Sequence, residues 1–492
     1  MGALPRSLSV ENLETRLNLS HVLTPHTALD PQPAPLPRTQ AADYATNSAT
    51  KQAVISLTDV VSAPAAASQH QLQGPIQAIS WGGSPAGATN LNNFIAVNLG
   101  YDPVQVAKAT QSAPPGQACL FIWDQMIDDI FNAPAAQTHN SAGASTGYLS
   151  PWMDSGIAAV KQRMDTFFSQ FYAAGGRADY VIMDMEGGLS ACRVTPQQTA
   201  AIFADPRFPA WQAANNIPSL SAVLAGDVTN YNAALMDATA QVLNQAVFNV
   251  AQKYFPDVKT SNYDMYAMSQ NSMVPDAGGY QWVLNSGAGN ENAPSMYGNL
   301  HIKYLPDSTP YTDTAFHTVL WETNVLRGTL NSSTGQATPW LAFKGYADSN
   351  LTNSPYYDEM VYQLALSGSS EFLLWNPRPW IAGQNPAQYS NDAQDMAFNS
   401  LLQTLNNKFG DAVRTPVTTQ LMDWNNPLVV SGMQIGNTDV LYRVTVPPGV
   451  QQVKVVQTGE VLNLNGAAGV WYESTPGSVV TFEPVASSAS MD

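Results

Sequence analysis

Asp179-Tyr180-Val181-Ile182-Met183-Asp184-Met185-Glu186-Gly187-Gly188 is the stretch on which the fold turns. Read as a strand, it sends Tyr180, Ile182, Asp184 and Glu186 to one face and Val181, Met183 and Met185 to the other. A helical pattern stands before it. Ile157, Val160, Met164, Phe167, Phe168 and Phe171 recur at a period near 3.6 over 156–174, and the pattern stops at Gly175-Gly176. Helix followed by an apolar strand is the repeating unit of an α/β domain with buried parallel strands.

Outward from this unit the alternation continues. Apolar runs at 76–81, 94–98, 118–123, 258–266, 300–305, 339–344 and 371–375 predict further strands, eight with the one above. Helical patterns separate several of them: 231–254 through Met236, Ala240, Leu243, Val247 and Val250, then 313–327 and 357–366. Eight strands between residues 75 and 405 predict a (β/α)8 TIM-like barrel, with room for one more strand hidden in 187–230. The competing open, doubly wound sheet lacks the G-x-G-x-x-G turn that its nucleotide-binding members carry. After 412 the pattern changes to alternating apolar and polar residues broken by Pro-Pro-Gly, Asn-Gly and Pro-Gly, which predicts a small antiparallel β-sandwich. The expected organisation is a targeting segment with a proline-rich linker over 1–45, a catalytic barrel over 46–410, an accessory sandwich over 411–486 and a disordered tail at 487–492.

Composition narrows the function. The 492 residues carry 20 Lys+Arg against 37 Asp+Glu, a net charge of −17, and only 12% are charged. A lysine-poor acidic chain is a poor partner for nucleic acid or an anionic membrane surface. No apolar run approaches the roughly 18 residues of a membrane-spanning helix. Cys119 and Cys192 are too few for a disulfide scaffold, and the six histidines stand singly, so no metal site and no cofactor is expected.

The chemistry is expected where the central strand ends. Alternation puts Asp184 and Glu186 on the inward face at the C-terminal end of a barrel strand, the end at which barrel enzymes keep their active sites. Gly187-Gly188 then leaves room for a ligand to approach the backbone. Two neighbouring carboxyls push their pKa values apart, giving one acid and one charged stabiliser, the equipment for cleaving a glycosidic bond. Trp123-Asp124 ends another predicted strand and brings a further carboxylate and an indole to the same mouth; an N-cap is the alternative role for Asp124. Tyr263, Asp264 and Tyr266 end the 258–266 run, Trp375 and Asn376 the last one, and these are the candidate substrate-binding residues. Glu322 reads as surface or structural, and Glu371, which opens its strand, as lying at the opposite end of the barrel.

The central string resembles the D-x-x-D-x-D-x-E signature of family 18 glycoside hydrolases, the chitinase-like enzymes. Asp179, Asp184 and Glu186 fall on its first, third and last acidic positions, and Ile182 replaces the second. The resemblance implies Glu186 as general acid and Asp184 as the carboxylate assisting the substrate's acetamido group. Ser261-Asn262-Tyr263-Asp264-Met265-Tyr266 is similar to that family's M-x-Y-D strand, and Leu373-Leu374-Trp375 to its last strand, whose Trp floors the sugar site. A retaining or an inverting pair, made by Glu186 with Asp184, Asp124 or Asp264, stays open; carboxyl separations of about 5–5.5 Å and about 6.5–9.5 Å distinguish the two. Ser9 to Ser20 resembles the LEPR-XLL-type N-terminal signature of exported bacterial proteins through Leu13, Glu14, Arg16 and Leu19, implying secretion or the cell surface. The expected activity is hydrolysis of a polysaccharide or oligosaccharide. The alternatives are a glycan-binding surface protein on a degenerate barrel, favoured by Ile182, and a calcium-stabilised structural protein, which would want more acidic ligands.

Overall fold

The helix before the central strand ends as its glycines predict. Gly176 N–H reaches the Phe171 carbonyl at 2.9 Å and Gly175 N–H the Tyr172 carbonyl at 2.9 Å, with Gly175 at φ +78°. This pair of bonds closes a helix only if the residue at its C-terminal edge is left-handed, hence glycine. The structure, a computed structural model, describes residues 71–80, 86–97, 99–123, 126–127, 134–152, 156–184, 196–264, 288–296, 315–330, 337–342, 344, 351, 354–375, 392–417, 419 and 428–485. The export-like string, the proline-rich linker, the tail and the strand expected at 300–305 lie outside them. The chain divides into two units, Met1–Gln69 with Pro379–Tyr389, and His70–Arg378 with Ser390–Asp492; all described residues belong to the second.

In chain order, β1 (Gln77–Ser80), β2 (Leu91–Asn93) and β3 (Ile95–Val97) precede α1 (Pro103–Gln111) and β4 (Cys119–Trp123). A hairpin, β5 (Gln137–His139) and β6 (Ser145–Leu149), is inserted before α2 (Gly156–Ala173) and β7 (Tyr180–Asp184). Three short helices follow β7: α3 (Pro196–Ala204), α4 (Phe208–Ala214) and α5 (Leu220–Leu224). Then α6 (Thr229–Leu243) passes through a π-turn at Asn244–Phe248 into α7 (Asn249–Tyr254) and β8 (Lys259–Asp264). The α/β part continues with β9 (Ala293–Met296), α8 (Ala315–Leu330), β10 (Trp340–Ala342), α9 (Tyr356–Ser367), β11 (Glu371–Trp375) and α10 (Asp392–Phe409).

One nine-stranded sheet has the order β2-β1-β11-β10-β9-β8-β7-β4-β3 and is parallel at every pairing. Its two outermost strands are successive pieces of chain with Phe94 alone between them, and Phe94 N–H donates to the Ser80 carbonyl at 3.3 Å. The sheet is strongly curved. The rings of Phe121 on β4 and Trp340 on β10 have centroids 5.9 Å apart, whereas four strand spacings in a flat sheet would separate them by about 19 Å.

Alternation sorts the two faces as the sequence predicts. Cys119, Phe121, Tyr180, Ile182, Tyr263, Trp340 and Leu373 form one interior cluster, with Phe94, Trp123 and Trp375 packed on it. Leu120, Ile122, Val181 and Met183 face the other way, into a core shared with Val160, Met164, Phe167, Phe168 and Phe171 of α2 and Leu243, Val247 and Val250 of the α6–α7 helix.

Two expectations are corrected. The sheet position between β8 and β10 is filled by Ala293–Met296 rather than by residues further on. The described part of 187–230 holds helices, not a hidden strand. Of the two roles expected for Glu322, surface or structural, its burial on α8 leaves the structural one.

Beyond α10, β12 (Arg414–Val417), β13 (Val429–Ile435), β14 (Asp439–Thr445), β15 (Gln452–Val455), β16 (Val461–Asn463), β17 (Gly469–Ser474) and β18 (Phe482–Pro484) make two antiparallel sheets. Their orders are β12-β13-β14-β17 and β16-β15-β18. Pro416 is tolerated because β12 is an edge strand, where a missing N–H breaks no ladder. Val430, Tyr442 and Val444 of the first sheet share a core with Val453, Val455 and Phe482 of the second. The opposite face of the first sheet, through Val429, Met433 and Leu441, joins the core of α8 and α9. There the Glu359 carboxylate on α9 takes hydrogen bonds from the Arg443 guanidinium and from Thr445 Oγ1, the latter at 2.7 Å. Burying such a pair is tolerable only because both ends are fully engaged.

Candidate functional site

Because all nine strands run the same way, β4, β7, β8 and β11 finish at one end of the sheet, in Trp123, Asp184, Asp264 and Trp375. Trp123 and Asp184 are direct register partners on neighbouring strands. Asp184 continues the inward series of Tyr180 and Ile182 and is half-buried, as are Trp123 and Trp375. These three residues form the described rim. Asp264 is described only as the last residue of β8, in register with Pro294. Glu186, Asp124, Tyr266 and Asn376 lie outside the described residues, as does Cys192.

Below the rim the interior is filled by rings. Phe94 stacks on Trp340 at 5.3 Å, Tyr263 meets Trp340 edge-on at 5.5 Å, and Phe121 stands edge-on to Trp123 at 5.6 Å. Such geometries follow the ring quadrupoles. Tyr263, named as a candidate for substrate, therefore has its ring buried in this plug, while Trp123 is its topmost layer. The interior is a packed core and not a pore, so anything binding among the inward residues of the C-terminal end meets aromatic side chains and the Asp184 carboxyl.

Two insertions flank this end. The β5–β6 hairpin follows β4, and the helices α3–α5 follow β7. They are tied together by Asp205, whose fully buried carboxylate accepts from Arg207 Nε at 2.9 Å, from Arg207 N–H at 2.9 Å and from His139 N–H at 2.6 Å. Burial pushes the Asp205 carboxyl up, but the Arg207 and His139 hydrogen bonds outweigh it and hold the pKa below the usual carboxylate value. The Arg207 guanidinium also lies 4.9 Å over the Trp152 ring.

The other end of the sheet carries a polar cluster that sequence reasoning missed. Lys259, the first residue of β8, donates to Glu371 Oε2 at 2.6 Å and to the Tyr180 hydroxyl at 2.7 Å, and lies 3.2 Å from Glu291 Oε1. Glu371 indeed opens its strand at the end away from the rim. Its second oxygen accepts from Gln77 Nε2 at 3.1 Å. Burial raises the Glu371 pKa to about 7, the Gln77 amide pulling it down and the Asp179 carboxylate adding to the rise. Asp179 itself accepts from Ala118 N–H at 2.8 Å and from Arg177 at 3.4 Å, at this same end. Above them the buried Cys119 thiol is pushed well up, first by burial and then by Glu371, Asp179 and Glu291. The available signal was positional: two charged residues opening parallel strands share an end of the sheet. Among the described residues no three His, Cys, Asp or Glu gather as metal ligands, and no helix is long and apolar enough to cross a membrane.

No family model and no curated protein matches the chain. Among solved structures, bee venom hyaluronidase aligns with a TM-score of 0.32 and 13% identity over 58% of this chain and 84% of its own. The glycoside hydrolase domain of PgaB from Bordetella bronchiseptica aligns with a TM-score of 0.36 and 10% identity, over 67% and 99%. A family 5 glycoside hydrolase from Bacteroides vulgatus gives 0.33 and 10%, over 83% and 86%. Likenesses of this size decide neither family nor activity, so the functional reading has to stand on the chain's own residues.

Proposed function

We propose that the chain is an exported glycoside hydrolase on a closed (β/α)8 barrel, cleaving a polysaccharide with Glu186 as general acid and Asp184 as assisting carboxylate. The observation that carries this reading is Trp123 beside Asp184 on adjacent parallel strands, at the C-terminal end and above an aromatic interior. Indole faces stack on sugar rings, and a carboxyl next to them is where charge develops on an oxocarbenium-like transition state. Closure of the barrel is supported by the curvature of the sheet and by its outer strands being one stretch of chain across Phe94. In this reading the barrel spans 46–410, Trp375 and Asn376 line the sugar site with Asp124, Asp264 and Tyr266, and the two antiparallel sheets over 411–486 form an accessory sandwich about their shared core. Export rests on the LEPR-XLL-type string. No cofactor is invoked.

A second reading is favoured by one residue. Ile182 stands where the family 18 signature has an acid, and it is buried among Tyr180, Phe121 and Tyr263. A barrel with that position apolar is also what a glycan-binding protein without hydrolytic chemistry would have. Release of reducing sugar from a panel of polysaccharides, chitin and other β-linked glycans included, separates the two. Cleavage by wild type that Glu186→Gln loses supports the enzyme. Binding of the same glycan by both proteins without cleavage by either replaces it with the binding protein.

A further inference from the structure

The cluster at the N-terminal ends of the strands joins four parts of the sheet and is used by nothing proposed above. Lys259 on β8 reaches Glu371 on β11, Tyr180 on β7 and Glu291 just ahead of β9. Thr338 Oγ1, ahead of β10, donates to Glu291 Oε2 at 2.6 Å. One ammonium thus serves two carboxylates that are 13% and 5% exposed, a surplus of one negative charge on nearly buried groups. The surrounding elements do not cancel it. They bring Asp179, already held by Arg177 and Ala118 N–H, the neutral Cys119 thiol, and the amides of Gln77 and Gln117. A cleft of about 530 Å³, lined by Tyr254, Phe255 and Asp257 as well as Lys259 and Glu371, opens onto the cluster and gives water access to it.

We propose that this cluster is a proton-operated staple: with one ammonium between two nearly buried carboxylates, Glu371 takes up one proton while Lys259 stays on Glu291 and Tyr180, so the N-terminal end of the sheet is held more tightly in acid than in alkali. The acid proton has an acceptor within reach. Gln77 donates to Glu371, and Gln117 donates to Gln77 Oε1, so two amides in series can turn over and present Gln77 Oε1 to the protonated carboxyl. The raised pKa of Glu371 fits this arrangement. Its sign is fixed by linkage: with the folded value near 7 and an ordinary value of 4.5, the folded state holds the extra proton between these limits. Stability from this group is therefore complete below 4.5 and is lost as pH rises through 7.

The test is thermal unfolding of the full chain from pH 5 to pH 8, for wild type and Glu371→Gln, with the infrared band of protonated carboxyls followed over the same range. The neutral amide should match wild type at pH 5 and melt a few degrees higher at pH 8. Wild type should lose a protonated-carboxyl band with a midpoint near 7 that the variant lacks. A variant that melts lower than wild type by the same amount at every pH, with no band titrating near 7, would mean that Glu371 is an ordinary ionised partner of Lys259 and would overturn the proposal. If Glu371→Gln does not fold, Lys259→Met serves instead: removing the ammonium should move the band's midpoint upward, and an unmoved midpoint assigns the band to another carboxyl and removes the staple.

Discussion

At the N-terminal ends of the strands Glu371 has an ammonium at 2.6 Å and an amide at 3.1 Å, whereas at the C-terminal ends Asp184 stands half-exposed next to an indole on the neighbouring strand. The same sheet thus holds carboxyls in two ways. One end engages them in a polar network drawn from β1, β7, β8 and the segments before β9 and β10. The other end finishes its strands in Trp, Asp and Trp, groups suited to meeting something from outside. A buried charge with its partners in place is evidence about stability; a half-exposed one in an aromatic setting is evidence about binding. The difference teaches that acidity alone does not mark the site.

The hardest test of this contrast is chemical. Glu186→Gln and Asp184→Asn should each lower glycan cleavage by about 10²–10⁴-fold, with melting temperature nearly unchanged, as measured by reducing-sugar release and thermal unfolding. Glu371→Gln should do the reverse. It should leave cleavage in place while removing a pH-dependent stability term of about 3 kcal/mol between pH 4.5 and 8, the 1.36 kcal/mol per pKa unit applied to the shift from 4.5 to about 7. Loss of cleavage in the Glu371 variant at a pH where it is folded would break the division between the two ends.

How much of this was legible beforehand differs between the ends for a physical reason. The inward and outward faces of β4 and β7 follow from a period of two, and the α2 stripe from a period of 3.6, so local pattern suffices for them. The strand Ala293–Met296 was missed because Ala-Pro-Ser-Met neither alternates nor is β-branched, and its place is fixed by neighbours on both sides. The helices α3 to α5 are short, and α4 and α5 bury few residues, so no long stripe announces them. The strand expected at 94–98 is Ile95–Val97, and Leu91–Asn93 just ahead of it was not read as a strand; at Phe94 the chain changes its pairing from β1 to β4. At the rim, Trp123, Asp184 and Trp375 could be named from their positions at strand ends. The staple could not: Lys259 and Glu371 are 112 residues apart, and only the curvature of the sheet brings them together.

A smaller effect is expected from the lysine itself. Lys259→Met leaves Glu371 and Glu291 without their shared charge, and removing one member of a buried pair costs about 3–5 kcal/mol. Lys259 is 38% exposed, so solvent screens part of that interaction and about 2 kcal/mol is the expected loss, read by denaturant unfolding at pH 8. The loss should shrink at pH 5, where Glu371 is protonated and one charge fewer is uncovered. A loss as large in acid as in alkali would show that the lysine matters for packing over Tyr180, whose ring it covers at 4.8 Å, more than for charge.

The smallest effect expected, that of Trp123→Ala, separates rim from plug within the aromatic interior. Trp123 and Trp340 belong to one run of ring contacts through Phe121, yet Trp340 is buried and Trp123 half-exposed. Trp340→Ala empties the middle of a packed interior and should cost stability by about 3–5 kcal/mol, a defect that any interior ring would give. Trp123→Ala removes the top layer only. If that indole is a platform for sugar, its loss should weaken glycan binding by about tenfold, near 1.4 kcal/mol, and leave the maximal cleavage rate within a few-fold. Titration calorimetry with the glycan that responds, beside unfolding of the same variant, measures both quantities. An unchanged affinity with a lowered melting temperature would demote Trp123 to the plug and leave Asp184 without its platform; an affinity loss at constant stability would place the binding surface at the C-terminal end of β4.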